Sequence, residues 1–232
     1  MKEYRFAILL VALAVFLVCA PIVGVVGSLS NTTAGQFVMS IAFLAMLVSA
    51  VYAVSGTRRV MTVMAALLVL DALAHLLDLL ITDRDFVILG LVVSGIFLGF
   101  VIYVVFRHLL RCKHVTVDTI CASLCVYLLL GLWWAIVYSL VDIYEPNSFY
   151  SAIDGDFTRM RFGSEKSVTP LYFSYTTMTT LGYGDLVPHA PIARMLTSIQ
   201  AVTGQIYLAV LVARLVGMQI AESRRGGKNT DD

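Results

Sequence analysis

The segment Thr179-Thr180-Leu181-Gly182-Tyr183-Gly184-Asp185 places its chemistry in the backbone. A cation stripped of water needs a dense ring of oxygens. One run of carbonyls cannot encircle it, whereas four copies around a common axis can. Gly182 and Gly184 lack a Cβ and can take the positive φ that lets successive carbonyls face the same way. Thr180 adds a hydroxyl oxygen below that ladder. Thr180, Leu181, Gly182, Tyr183 and Gly184 are therefore the candidate cation-coordinating residues, with Thr176, Thr179 and Asp185 flanking them.

Such a loop must be held by helices. Pro170 to Met178 reads as a short helix leading into it, with proline suited to a helix start. The chain of 232 residues is 59% hydrophobic and 13% charged, against roughly 45 to 50% apolar and about 25% charged in an ordinary soluble domain. A membrane-spanning helix needs about 20 mainly apolar residues. Phe6 to Val26, Phe37 to Val54, Val60 to Ile81, Phe86 to Phe106, Thr119 to Val141 and the longer Pro191 to Ile220 meet that requirement. The expected fold class is an all-α membrane protein with six transmembrane helices, plus a re-entrant pore helix and loop. The chain divides into a four-helix peripheral domain (1–114), a pore domain (115–220) and a short tail (221–232).

Six crossings put both termini on one side. Lys2, Arg5, Arg58, Arg59, Arg107, Arg111, Lys113, Arg224, Arg225 and Lys228 fall on that side, which the positive-inside rule makes cytoplasmic. The loop then enters from outside. The first apolar run is longer than a usual signal-peptide core, and Pro21 disfavours cleavage after Ala20. A net charge of +1 without long charged runs argues against a nucleic-acid partner. No nucleophile, base and oxyanion arrangement points to an enzyme. Cys121 and Cys125 lie one helical turn apart and read as small hydrophobes. Cys112 with His108 and His114 is either an interfacial linker or a weak metal candidate. Arg107 to Asp118 reads as a basic amphipathic linker along the cytoplasmic surface, and Val141 to Thr169 as an extracellular segment that is partly mobile turret.

Thr180-Leu181-Gly182-Tyr183-Gly184 resembles the potassium-channel signature Thr-Val-Gly-Tyr-Gly, with Leu181 in place of valine. The resemblance implies a selectivity filter binding K+ at Thr180, Leu181, Gly182 and Tyr183, with K+ as permeant ion and no resident cofactor. It also implies a homotetramer in contact with membrane lipids. Tyr172-Phe173 occupies the place of two tryptophans that brace the filter in many relatives, the first through the aspartate matching Asp185. Gly204, nineteen residues after Asp185, matches the hinge glycine of the inner helix. Below it, Gln205, Leu208, Val212 and Val216 share one helical face and are the expected pore lining.

The six-helix plan resembles the voltage-gated potassium channels, but Phe86 to Phe106 holds no arginine. Each charge crossing the field contributes about 2.3 kcal/mol per 100 mV, and steep gating uses roughly 3 to 4 per subunit. This helix instead carries Gly90 with Ser94 and Gly95 with Gly99, spacing suited to close packing. Asp71, His75 and Asp78 share a face of the third helix. They read as hydrogen-bonding groups within the four-helix unit, as a pH-responsive cluster, or as a metal site. The expected function is a potassium channel without strong voltage gating. A weakly selective cation channel and a sensor or assembly subunit with a non-conducting pore are the alternatives. The expected location is the plasma membrane, and compact length with little room for cytoplasmic domains suggests a prokaryotic inner membrane.

Overall fold

The computed structural model describes residues 5–30, 34–54, 58–81, 84–112, 114, 116–162 and 168–228, without the side chains at 24–30, 34–37, 39, 78–81 and 221–228. In chain order the elements are α1 (Arg5–Ser30), α2 (Ala34–Val54), α3 (Arg58–Ile81), α4 (Arg84–Arg111), α5 (Val117–Tyr144), β1 (Phe149–Ser151), β2 (Asp156–Phe157), α6 (Val168–Met178), β3 (Leu186–Pro188) and α7 (Pro191–Lys228). Among the described residues five helices are long and apolar enough to cross a membrane, and α2 contributes a shorter apolar run, Ser40–Val54. Several apolar helices of spanning length make this a multi-pass membrane protein.

Two expectations about the connections change. The stretch from Arg107 to Arg111 is the last turn of α4 rather than a surface linker. His108 and Arg111 fall in that last turn, where positive charge is favoured. The turn that follows is short, because Thr116 already caps α5: its hydroxyl accepts the Thr119 N–H at 3.2 Å. Helix α7 likewise continues to Lys228 instead of ending near Ile220.

Helices α1 and α4 rest on this chain's α5. The Phe6 N–H donates to Asp118 Oδ1 at 3.1 Å, and Trp133 Nε1 donates to the Gly95 carbonyl at 3.0 Å. The small residues of α4 serve two neighbours. A Cβ added at Gly99 would lie 3.5 Å from Trp133 Nε1, and one at Gly95 would lie 3.7 Å from Ile136. Gly90 and Ser94 instead face α3, at Ala74 and Asp71. Leu9, Leu13, Leu47, Phe97, Leu98, Leu129 and Leu132 are among the buried residues that fill the main core between these helices.

The segment between α5 and α6 is not wholly irregular, and the fold is not purely helical. Strand β1 pairs antiparallel with both β2 and β3, giving the order β2-β1-β3. Beneath this sheet a second cluster joins Trp134, Tyr138, Phe149, Met160, Phe173, Ala190 and Ala193. Phe162 reaches the other way and meets Phe43 of α2 edge-on at 5.5 Å.

Candidate functional site: a carbonyl loop at the end of a short helix

Helix α6 is wedged between α5 and α7 by two glycines. A Cβ at Gly131 would fall 2.3 Å from Tyr175 Cε1, and a Cβ at Gly204 would fall 2.7 Å from the Met178 carbonyl oxygen. Only residues without side chains allow so close an approach. Buried polar bonds then fix the helix. The Ser174 hydroxyl donates to the Gly131 carbonyl at 2.6 Å. Gln200 Nε2 donates to both the Ser174 carbonyl and its hydroxyl oxygen, at 3.0 and 2.7 Å. The Tyr138 hydroxyl donates to Gln200 Oε1, and that of Tyr175 to the Leu128 carbonyl at 2.6 Å. Ser174, Gln200 and Tyr138 are fully buried, so each bond replaces one otherwise lost to water.

The loop turns back at the end of α6. The Thr176 carbonyl accepts the N–H groups of both Leu181 and Gly182, at 2.9 and 3.2 Å. Alternate residues then take positive φ: Thr180 at 60°, Gly182 at 47° and Gly184 at 78°. This alternation is what turns consecutive carbonyls to one side. Gly182 and Gly184 adopt it without penalty, but for β-branched Thr180 it is an outlier costing about 1–3 kcal/mol. The hydroxyl of Thr180 donates to the Thr179 carbonyl at 2.7 Å, leaving its oxygen lone pairs available. Residues 179–184 are exposed in the single chain, Leu181 at 52% and Tyr183 at 69%. The carboxyl end of α6 leads into the loop, and a helix C-terminus carries about half a negative charge. The site is therefore suited to a cation.

The outer end of the loop is sewn into the sheet. Ser151, Tyr150 and Phe149 pair with Leu186, Val187 and Pro188, and the Ala152 N–H donates to the Asp185 carbonyl at 2.7 Å. The Tyr172 hydroxyl donates to Asp185 Oδ2 at 2.6 Å. That bond, ahead of burial, pushes the Tyr172 phenol up to about 12. Phe173 does not reach the loop. It packs against Tyr138 and Phe149, at ring separations of 5.0 and 5.2 Å, and so buttresses α6 from behind. Thr176 and Thr179 bond back along their own helix, to Phe173 and Tyr175.

Sequence reasoning overlooked the sheet and the Ser174–Gln200–Tyr138 network. The turn-forming Asp154-Gly155, with Gly155 at φ 67°, was an available signal for the β1–β2 hairpin. Gln200, a polar side chain in the largely apolar first half of α7, was the signal for the network. Gly204, expected as a hinge, lies within continuous helix and is buried against Met178. Gln205, Val212 and Val216 are exposed and Leu208 half-buried. Arg214 donates to the Cys112 carbonyl at 3.2 Å.

The charged group of α3 is remote from this loop. Asp71 is fully buried and accepts the Ser94 hydroxyl at 2.5 Å. His75 Nδ1 lies 3.0 Å from the Asp71 carbonyl oxygen and 3.6 Å from its carboxylate. The side chain of Asp78 lies outside the described residues. Among the described residues, no three His, Cys, Asp or Glu side chains are grouped to hold a metal ion.

Residues 115–220 match the family model described as "Ion channel". The chain is 30% identical over 104 residues to "Two-pore potassium channel 4" of Arabidopsis thaliana, which covers 45% of this chain and 34% of that protein. It is 30% identical over 82 residues to "Two pore potassium channel c" of Oryza sativa subsp. japonica, covering 35% of this chain and 18% of that protein. The chain thus spans about a third or less of the length of these relatives. No solved structure matches it.

Proposed function

We propose that the chain is one subunit of a homotetrameric potassium channel that passes K+ passively down its electrochemical gradient. The observation that carries this reading is the alternating positive φ at Thr180, Gly182 and Gly184 on a loop that the single chain leaves exposed. Irregular backbone at membrane depth is tolerated only where protein covers it or it lines water. Four copies meeting at the loop satisfy both conditions and complete the oxygen ring. The similarity of the loop-bearing half to an ion-channel family, and to plant proteins named as potassium channels, favours K+ as the ion.

In this assembly Thr180 to Gly184 coordinate dehydrated K+, while Tyr172 and Asp185 brace the outer mouth. Gln205, Leu208, Val212 and Val216 line an apolar inner cavity with one polar ring, which gates by steric closure or dewetting. Six crossings place both termini in the cytoplasm. Helix α4 holds no arginine between Arg84 and Arg107, and both of its small-residue faces are engaged in packing. Gating is therefore leak-like or only weakly voltage-dependent.

The test is single-channel recording of the full chain in a planar bilayer, with unequal K+ and Na+, over a wide voltage range. The expected result is reversal near the potassium equilibrium value, flat open probability, and loss of current on Gly182→Ala. Poor discrimination against Na+ would instead favour a weakly selective cation channel. Absence of current from well-folded protein would favour a sensor or assembly subunit. Steep voltage dependence would overturn the reading of α4.

A further inference from the structure

Helices α4 and α5, of 28 residues each and so about 40 Å long at 1.5 Å per residue, run antiparallel and touch from end to end. At one end only Cys112 to Thr116 separate them. In the middle, a Cβ at Gly99 would lie 3.5 Å from Trp133 Nε1, and one at Gly95 would lie 3.7 Å from Ile136 Cγ2. At the other end Arg84 Nη2 donates to the Ile143 carbonyl at 2.5 Å. Two helices joined by so short a connection pack as a hairpin on each other. Both ends of the connection are also engaged. The Cys112 N–H donates to the His108 and Leu109 carbonyls, each at 3.2 Å, and the Thr116 hydroxyl caps α5. The Cys112 carbonyl is held in turn by Arg214 of α7.

Helix α1 supplies a separate anchor. Its Phe6 N–H donates to Asp118 Oδ1 at 3.1 Å, and the Cys125 thiol donates to the Phe6 carbonyl at 3.4 Å. The Phe6 ring meets that of His108 on α4 at 5.1 Å, so α1 and α4 brace each other where both meet α5. Moving these helices onto the α5 of another copy would require the connection to straighten. Fully stretched it would reach only about 20 Å, with the Cys112 and Thr116 bonds lost. Helix α7, by contrast, leaves a face for another chain. Ile192, Met195, Ile199, Val202 and Ile206 are exposed and recur one helical turn apart. Through Gly204 this helix packs on the end of α6 where the carbonyl loop begins, so copies that complete an oxygen ring must lie alongside it.

We propose that neighbouring copies of the chain meet through α7 without exchanging their peripheral helices, each copy keeping α1 and α4 on its own α5. This arrangement rests on the tetrameric reading above. It makes the link from the α4–α5 turn through Arg214 to α7 a contact within one subunit, so that a displacement of α4 acts first on the α7 of the same chain.

The test is disulfide trapping of the full chain in lipid, with native mass spectrometry of the same samples. Cys19, Cys112, Cys121 and Cys125 are replaced by alanine and the pair Gly95→Cys/Ile136→Cys is introduced, a separation that a disulfide can close. Oxidation should remove both free thiols, the denatured band should stay at one chain, and the native mass should be that of four. When Gly95→Cys and Ile136→Cys are carried on separately tagged, co-expressed chains, no covalent dimer should form. Phe6→Cys with Cys125 retained repeats the measurement on α1 and decides the question if the α4 pair does not assemble. Linked chains from either double-cysteine protein, or a mixed-tag dimer from the co-expressed chains, at a tetrameric mass would overturn the proposal and leave the tetramer standing. Thiols that stay free in both pairs would overturn it as well. A native mass of one chain would overturn the tetramer, and this arrangement with it.

Discussion

Substituting Gly204 by alanine separates two roles with opposite signs. As a hinge in an otherwise regular helix, glycine destabilises that helix, and alanine should stabilise it by about 1 kcal/mol. The structure supplies a stronger opposing effect. The new Cβ would lie 2.7 Å from the Met178 carbonyl oxygen and 2.8 Å from Met178 Cγ. The side-chain contact can move, but the carbonyl belongs to the end of α6, where the loop begins. Overpacking typically costs about 1–3 kcal/mol, and a backbone contact belongs at the upper end, so the net loss is about 2 kcal/mol, or roughly thirtyfold. The assay is thermal unfolding of the full chain in lipid, followed by size exclusion, alongside K+ flux into liposomes. Gly217→Ala is the control, since a Cβ there meets nothing within 4 Å; it should be neutral or slightly stabilising. Adding Met178→Ala should restore only part of the Gly204→Ala loss, because the carbonyl contact stays. A Gly204→Ala protein as stable as wild type, with reduced flux, would refute the packing account and restore the hinge.

Two further outcomes follow from named bonds. Tyr172→Phe removes the 2.6 Å bond to Asp185; a hydrogen bond to a charged group is worth about 1.5–3 kcal/mol, reduced by solvent screening at this outer position to about 1 kcal/mol. The loop should lose conduction roughly fivefold more readily during prolonged recording, and an unchanged time course would count against the brace. Because the phenol is raised from 10.0 to about 12, its contribution is complete below the ordinary value and lost only as pH climbs toward the raised one. The difference between wild type and Tyr172→Phe should therefore stay constant between about pH 6 and 9, and a difference that shrinks in that window would refute the assignment. Ser94→Ala leaves the fully buried Asp71 without its hydroxyl donor. Thermal unfolding should show a loss of about 1–3 kcal/mol, and a loss under about 0.5 kcal/mol would mean that the bond contributes little.

What was legible in the sequence was local. The apolar runs mark α1, α3, α4, α5 and α7 because a membrane demands apolar surface along the whole span. Gly182 and Gly184 announce positive φ because no other residue takes it freely. The positive φ of Thr180 was not legible, since a β-branched residue argues against it and only the surrounding bonds impose it. The sheet was hidden for a different reason. Its strands are two or three residues long, and β1 finds β3 across the whole of α6 and the loop. The Ser174–Gln200–Tyr138 network joins residues 26 and 62 positions apart, beyond any periodic pattern. The end of α4 was placed too early because charge was read as a boundary, although cations are favoured in a last helical turn.

The strain at Thr180 explains why so many dissimilar contacts converge on one short helix. A residue held about 1–3 kcal/mol above its relaxed conformation persists only if its surroundings over-determine it. Below the loop, Gly131 and Gly204 let α5 and α7 close on α6, and Ser174, Gln200 and Tyr175 prevent it from sliding or rotating. Above it, the β1–β3 pairing fixes the chain just after Asp185, so the loop cannot lengthen outward. The Tyr172–Asp185 bond closes the remaining direction by tying the start of α6 to the end of the loop. Removing any one anchor leaves the others in place, so single variants at these positions should loosen the carbonyl ladder in degree. Removing Tyr172's hydroxyl together with the Gly204 contact acts at both ends of α6, and their effects should exceed the sum of the two alone, because each is then asked to hold the strain without the other.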